Sequence, residues 1–157
     1  MIDPVESLVL TLSTSPAVYR TQIVEDFEKN EVIKPRETML DAGGKGVFAS
    51  RILRQLGIPA KHLSTGGSNQ QELCSLLDHD GFPYYLAPSS ARIRNCTTIL
   101  ELDPEKSEAD SPCIRTVTEL NESVPEVDAK TSTLLFEHVL GSLDEAFILL
   151  VSGCLAP

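Results

Sequence analysis

The residues of this chain with the most chemical potential lie in a glycine-rich stretch, Asp41-Ala42-Gly43-Gly44-Lys45-Gly46. Glycines let backbone N–H groups come close to a polar or anionic ligand, and a helix starting behind them adds a favourable dipole. Lys45 would add a point charge. By itself such a turn also reads as an ordinary loop-to-helix connection, and the spacing is not that of a phosphate-binding P-loop. Arg92 and Arg94 flank Ile93, so in an extended segment both guanidinium groups point to one side, an arrangement suited to phosphate or to a solvated strand end. Gly66-Gly67 before Ser68-Asn69 reads as a helix cap or a ligand-facing turn. Glu119, Asn121 and Glu122 mark a polar strand end. Ser13, Ser15 and Ser50 have no nearby His and Asp in sequence, although spacing alone does not decide spatial pairing.

These residues need elements to position them. Ser7–Ser13 is a short apolar run suited to a buried strand, and 20–27 and 31–40 read as half-exposed strands. Behind the glycine turn, Phe48, Ile52 and Leu56 recur at helical spacing beside Ala49 and Leu53, which predicts an inward stripe ended by Gly57 and Pro59. Residues 61–65 read as a strand. Asn69 is placed to cap a second helix that buries Leu73, Leu76 and Leu77 and stops at Gly81. Strands are predicted at 82–86, 95–102 and 113–120, with a charged, proline-containing loop at 103–112. Asp128 is expected to cap a third helix with Leu135, Val139 and Leu143 on one face. Ala146–Val151 is continuously apolar, as in a strand buried on both faces of a parallel sheet. The order is that of an α/β fold with an extra antiparallel piece.

Composition narrows the function classes. The 157 residues are 41% hydrophobic and 23% charged, as expected of a globular domain. The net charge of −10 argues against nucleic acid and anionic membranes as partners. No apolar run approaches the roughly 20 residues of a spanning helix, and the acidic start lacks the basic region of a signal peptide. The four cysteines (Cys74, Cys96, Cys113, Cys154) and three histidines are scattered, so no metal site is expected and the thiols read as reduced, as in the cytoplasm.

Five segments, in order, resemble the hexose-phosphate branch of the PfkB (ribokinase-like) carbohydrate kinases, the 1-phosphofructokinases and tagatose-6-phosphate kinases. Thr11–Thr21 resembles TLNPALDRT, and DAGGKGVFASR at 41–51 resembles DPGGKGINVSR. Arg94-Asn95-Cys96-Thr97 resembles the family's arginine-containing strand start, Thr118–Glu122 resembles TEINEP, and Ser152–Pro157 resembles SGSLPP. The resemblance spans about Leu8 to Pro157. It implies a parallel sheet between helices plus a small β lid, with lid strands at about 20–40 and 82–102 in a single unit, 1–157, that corresponds to the N-terminal part of a kinase domain. It implies that Gly43, Gly44 and Lys45 sit at the sugar-phosphate site, that Arg94 binds the phosphate, and that two chains pair through their lids as a homodimer.

The departures from the pattern also carry information. Ser15, Tyr19 and Phe48 stand where the family has Asn, Asp and Asn, and an aromatic side chain does not hold sugar hydroxyls as a carboxylate does. The family's ATP and Mg2+ belong with a later GAGD segment, whose aspartate is the catalytic base. These 157 residues contain no such segment, so no catalytic residue and no cofactor is assigned to them. Three readings follow: a member or fragment of a hexose-phosphate kinase that is inactive alone, a non-catalytic sugar-phosphate-binding or kinase-partner module, and a degenerate gene product. On the last reading a halved sheet leaves 147–151 as an exposed apolar edge.

Overall fold

The computed structural model describes residues 8–106 and 113–153. Two four-stranded sheets organise them. The first is parallel and contains β1 (Val9–Ser13), β4 (Ala60–Thr65), β5 (Tyr84–Ala87) and β8 (Ile148–Val151), in the order β5-β4-β1-β8. The second contains β2 (Ala17–Val24), β3 (Glu37–Gly43), β6 (Arg94–Leu102) and β7 (Ile114–Asn121), in the order β3-β2-β6-β7. In this lid sheet β2 runs antiparallel to β3 and parallel to β6, while β7 closes antiparallel on β6. The helices are α1 (Lys45–Gln55), α2 (Gln71–Asp80) and α3 (Ala129–Ser142). This is the ribokinase-like α/β architecture with a β lid.

Alternation along β1 divides the interior. Leu10 faces a core with Leu63, Ala87, Leu135 and Val139 beneath α3. Thr11 and Ser13 face the other way, towards α1. A second core of Val18, Ala42, Val47, Leu73, Leu77, Phe82 and Ile93 joins the foot of the lid to α1 and α2. Asp128 caps α3 as expected, accepting from Thr131 N at 2.8 Å. Gly81, at φ 70°, ends α2 as expected.

Five expectations need correction. Residues 84–87 belong to the parallel sheet rather than the lid, because α2 returns the chain beside β4 and the pairs His62↔Tyr84 to Thr65↔Ala87 form. The lid takes its fourth strand from 114–121 instead. On α1 the buried residues are Gly46, Val47 and Ser50, whereas Phe48, Ile52 and Leu56 are 38%, 56% and 68% exposed. The small residues let α1 settle onto polar partners in the sheet, and that turns the apolar stripe outward. Asn69 does not cap α2; its amide instead accepts from Ile93 N at 2.7 Å and donates to Ile93 O at 3.2 Å. Finally, β8 is not buried on both faces. Its residues Ile148 and Val151 are 47% and 69% exposed, because among the described residues β1 is its one strand partner. Leu143 is likewise 38% exposed, since α3 ends at Ser142 and a 3-10 turn follows.

Candidate functional site

The parallel sheet reverses its direction of growth at β1: β4 and β5 lie on one side and β8 on the other. In open α/β sheets the crevice beyond the carboxyl end of such a strand is where ligands bind. Ser13 ends β1, and Ser15, the glycine turn and Gly153 gather round it. A side-chain carbon at Gly153 would lie 3.5 Å from Ser13 Cβ and 3.8 Å from Ser15 Oγ. One at Gly44 would lie 3.5 Å from Ser15 O, and Gly44 also holds φ at 120°, where glycine is favoured.

The other glycines of the turn are required by the protein's own packing. At Gly43 a Cβ would stand 2.3 Å from the Tyr19 ring, and at Gly46 one would stand 2.5 Å from His62 Cε1. The turn is therefore a close-packed junction, with Gly43 closing β3, Gly44 as the N-cap residue and Lys45 exposed at the first position of α1. Arg94 comes to the same level from across the lid. The pairs Ala17↔Gly43 and Ala17↔Arg94 set Gly43 and Arg94 on either side of Ala17, about 10 Å apart at the usual strand spacing. Gly43, Gly44, Lys45 and Arg94 thus lie at the same end of the lid sheet. The Arg94 guanidinium donates from Nη1 to Glu122 O at 3.5 Å, while its buried Nε–H has no partner. Arg92 lies in the loop before β6.

Glu122 has a structural role. Its carboxylate accepts from Asn95 N at 2.7 Å, and that bond holds it below the usual carboxylate range. The Gly66-Gly67 turn is also internal, since a Cβ at Gly67 would lie 2.8 Å from Ile93 N. Together with Asn69 it anchors the segment leading into Arg94.

Under α1 lies a polar cluster that sequence spacing did not reveal. Thr11 Oγ1 lies 2.7 Å from Ser50 Oγ and 2.9 Å from His62 Nδ1. Thr11, Ser50 and His62 are all fully buried, and burial pushes His62 down to about 4. A serine, a threonine and a neutral histidine in line resemble a proton relay, but no substrate reaches them there. Their effect is to fix α1 on the sheet. Ser13 Oγ, also buried, has no partner. Its position at the carboxyl end of an apolar strand was the one signal in the sequence that could have marked it.

The aromatic substitutions are neighbours. Tyr19 packs edge-on to Phe48 with ring centroids 5.6 Å apart. Arg51 lies 5.8 Å from the Phe48 ring centre and is held by Asp41 at 2.7 Å and Asp80 at 2.8 Å. A separate apolar groove of about 600 Å³ runs between α3 and the β1–β8 edge, lined by Leu12, Leu135, Phe136, Val139 and Leu149 among others.

Among the described residues no three His, Cys, Asp or Glu side chains group as a metal site. Cys74 and Cys96 are free thiols, while Cys154 and the rest of the segment compared with SGSLPP (154–157) lie outside the described residues. Among the described residues no helix is long and apolar enough to cross a membrane.

Known structures share the ribokinase-like fold of this chain. No family model matches the sequence. A "possible 1-phosphofructokinase" of Thermotoga maritima superimposes with a TM-score of 0.79 at 22% identity, over 96% of this chain and 46% of that one. Escherichia coli phosphofructokinase-2 in complex with fructose-6-phosphate gives 0.79 at 20% identity, with the same coverages of 96% and 46%. The tetrameric inhibited form of that enzyme gives 0.76 at 20% identity. This chain shares their fold and spans less than half of their length.

Proposed function

We propose that this chain is the sugar-phosphate-binding portion, with lid, of a PfkB-type hexose-phosphate kinase, equivalent to its N-terminal half. In this reading the backbone of Gly43 and Gly44 meets the sugar, and Lys45 and Arg94 hold the phosphate. The observation that carries it is the row Gly43–Ala17–Arg94, which brings two separately recognised motifs to one end of the lid, beside the carboxyl end of β1. Phosphoryl transfer needs donor and acceptor positioned together. With no donor site among the described residues, the 157-residue chain alone binds but does not turn over.

The test is a thermal melt with millimolar fructose 1-phosphate, fructose 6-phosphate or tagatose 6-phosphate, alongside an ATP–Mg2+ kinase assay. A ligand that binds only the folded state raises Tm. The expected result is a shift with at least one sugar phosphate, its loss in Arg94→Ala, and no turnover. Absence of any shift refutes the binding role, and turnover refutes the claim of inactivity.

A kinase-partner role has its own support in the exposed β8 edge and the groove beside α3, which suit a second polypeptide. Pairing of two lids as a homodimer is supported by exposed Met39 and Leu40 on β3 and Val117 and Leu120 on β7. The E. coli enzyme of the same fold has a tetrameric form. Light scattering of the purified chain separates these states. The acidic composition and scattered thiols support a cytoplasmic setting.

A further inference from the structure

The proposed site has an unusual wall. Tyr19 stands two residues beyond Ala17 on β2, so it projects from the lid face that also carries Arg94, Cys96 and Asp41. Its ring lies directly on Gly43, in the space a Cβ would take, and its edge meets Phe48 from the first turn of α1. Phe48 is 38% exposed although it is aromatic and next to the glycine turn. Arg51, fixed between Asp41 and Asp80, backs Phe48 from the other side. One lid face therefore carries Arg94, with a buried Nε–H that has no partner, on the strand next to the half-buried Tyr19, whose ring meets the exposed Phe48. Of the carboxylates around this corner, Asp41 is paired with Arg51, and Glu122, beside Arg94, accepts from Asn95 N.

Such a corner recognises charge at one end and a flat or C–H-rich face at the other. It has little with which to select hydroxyl groups. Resting on the sugar-phosphate reading above, we infer that Tyr19 and Phe48 determine specificity by stacking against the ring of a phosphorylated ligand. The preferred class is then a ring-bearing phosphomonoester, and the pattern of hydroxyls on the ring matters little. Arg94 supplies the shared phosphate contact, and the aromatic pair supplies the discrimination.

The experiment is titration calorimetry of the 157-residue chain with four probes: inorganic phosphate, phenyl phosphate, fructose 6-phosphate and the open-chain glucitol 6-phosphate. Phenyl phosphate, which has a ring and no hydroxyls, is expected to bind at least as tightly as fructose 6-phosphate, and both at least about tenfold more tightly than glucitol 6-phosphate or phosphate. Tyr19→Ala is expected to abolish the advantage of the ring and leave inorganic phosphate unchanged, while Tyr19→Phe retains it. If Tyr19→Ala melts non-cooperatively, Phe48→Ala, altered at the exposed ring, carries the test. If phenyl phosphate binds no better than phosphate while fructose 6-phosphate binds well, hydroxyls do the selecting; the stacking role then fails and the sugar-phosphate reading stands. If no probe binds, both fail.

Discussion

The two flanks of β1 are built from different residues and have opposite fates. On one side β4 pairs with β1 along its whole length, and His62, Leu63 and Ser64 are fully buried between helices on both faces. On the other side β8 pairs with β1 just as regularly, from Val9↔Ile148 to Leu12↔Val151, yet Phe147, Ile148 and Val151 are 57%, 47% and 69% exposed. The less apolar strand, β4 (Ala-Lys-His-Leu-Ser-Thr), is the buried one, and the wholly apolar β8 (Ile-Leu-Leu-Val) is the exposed one. β4 has strands on both sides with α1 and α3 against it, whereas among the described residues β8 has a strand on one side only. Apolar strand character records what a segment can bury, and the neighbours decide whether it does.

That contrast can be tested by truncation. Leu63→Ala should lower the free energy of unfolding by about 2–5 kcal/mol, because it opens a cavity in a closed core. Val151→Ala should change it by less than about 0.5 kcal/mol. Denaturant unfolding of both variants measures the difference, and equal losses would mean that β8 is covered in solution. A chain that is already covered would also show no gain in solubility from Val151→Lys, whereas an open edge should aggregate less with the added charge.

Acid should affect the buried side first. His62 has its folded pKa pushed from 6.5 to about 4 by burial, and His138, stacked on Tyr85 at 3.7 Å, is pushed down by burial and by Lys61. A depressed pKa means the folded state prefers the neutral ring. The contribution is complete above about pH 6.5 and is lost as pH falls towards 4. For His62 alone the loss reaches about 3 kcal/mol. Melting from pH 7 to 4 should show it, and His62→Gln should flatten the slope. The lid responds lower on the scale. Glu101 is held at about 2 by bonds from the side chains of Arg115 and Thr116 and from Phe27 N. Its contribution is present above about 4.5 and fades as pH falls towards 2, so a Glu101→Gln variant should lose the acid-dependent step below pH 4.5.

A more modest effect is expected at the cap of α3. Asp128→Ala removes the bond to Thr131 N and should cost about 1 kcal/mol. Asp128→Asn should recover most of it.

Much of this architecture was legible in the residues. The α/β order, the caps at Asp128 and Gly81, and the inward faces of α2 and α3 at Leu73, Leu77, Leu135 and Val139 follow from spacing and local chemistry. The face of α1 was not legible, because periodicity counts apolar residues and has no means of weighing a buried Thr11–Ser50–His62 cluster against Phe48, Ile52 and Leu56. Nor was the sheet to which 84–87 belongs, since four half-buried residues fit either sheet and α2 decides where the chain returns.

The sequence by itself determined the secondary elements, the turn glycines and the family pattern, because these depend on backbone freedom and on side-chain type at fixed offsets. Only the tertiary structure decided that Gly43 and Arg94 share a row through Ala17, that Tyr19 covers Gly43 and meets Phe48, and that among the described residues β8 has β1 as its one strand neighbour. Those are contacts between segments far apart in the chain, and strand pairing and packing set them rather than any local preference.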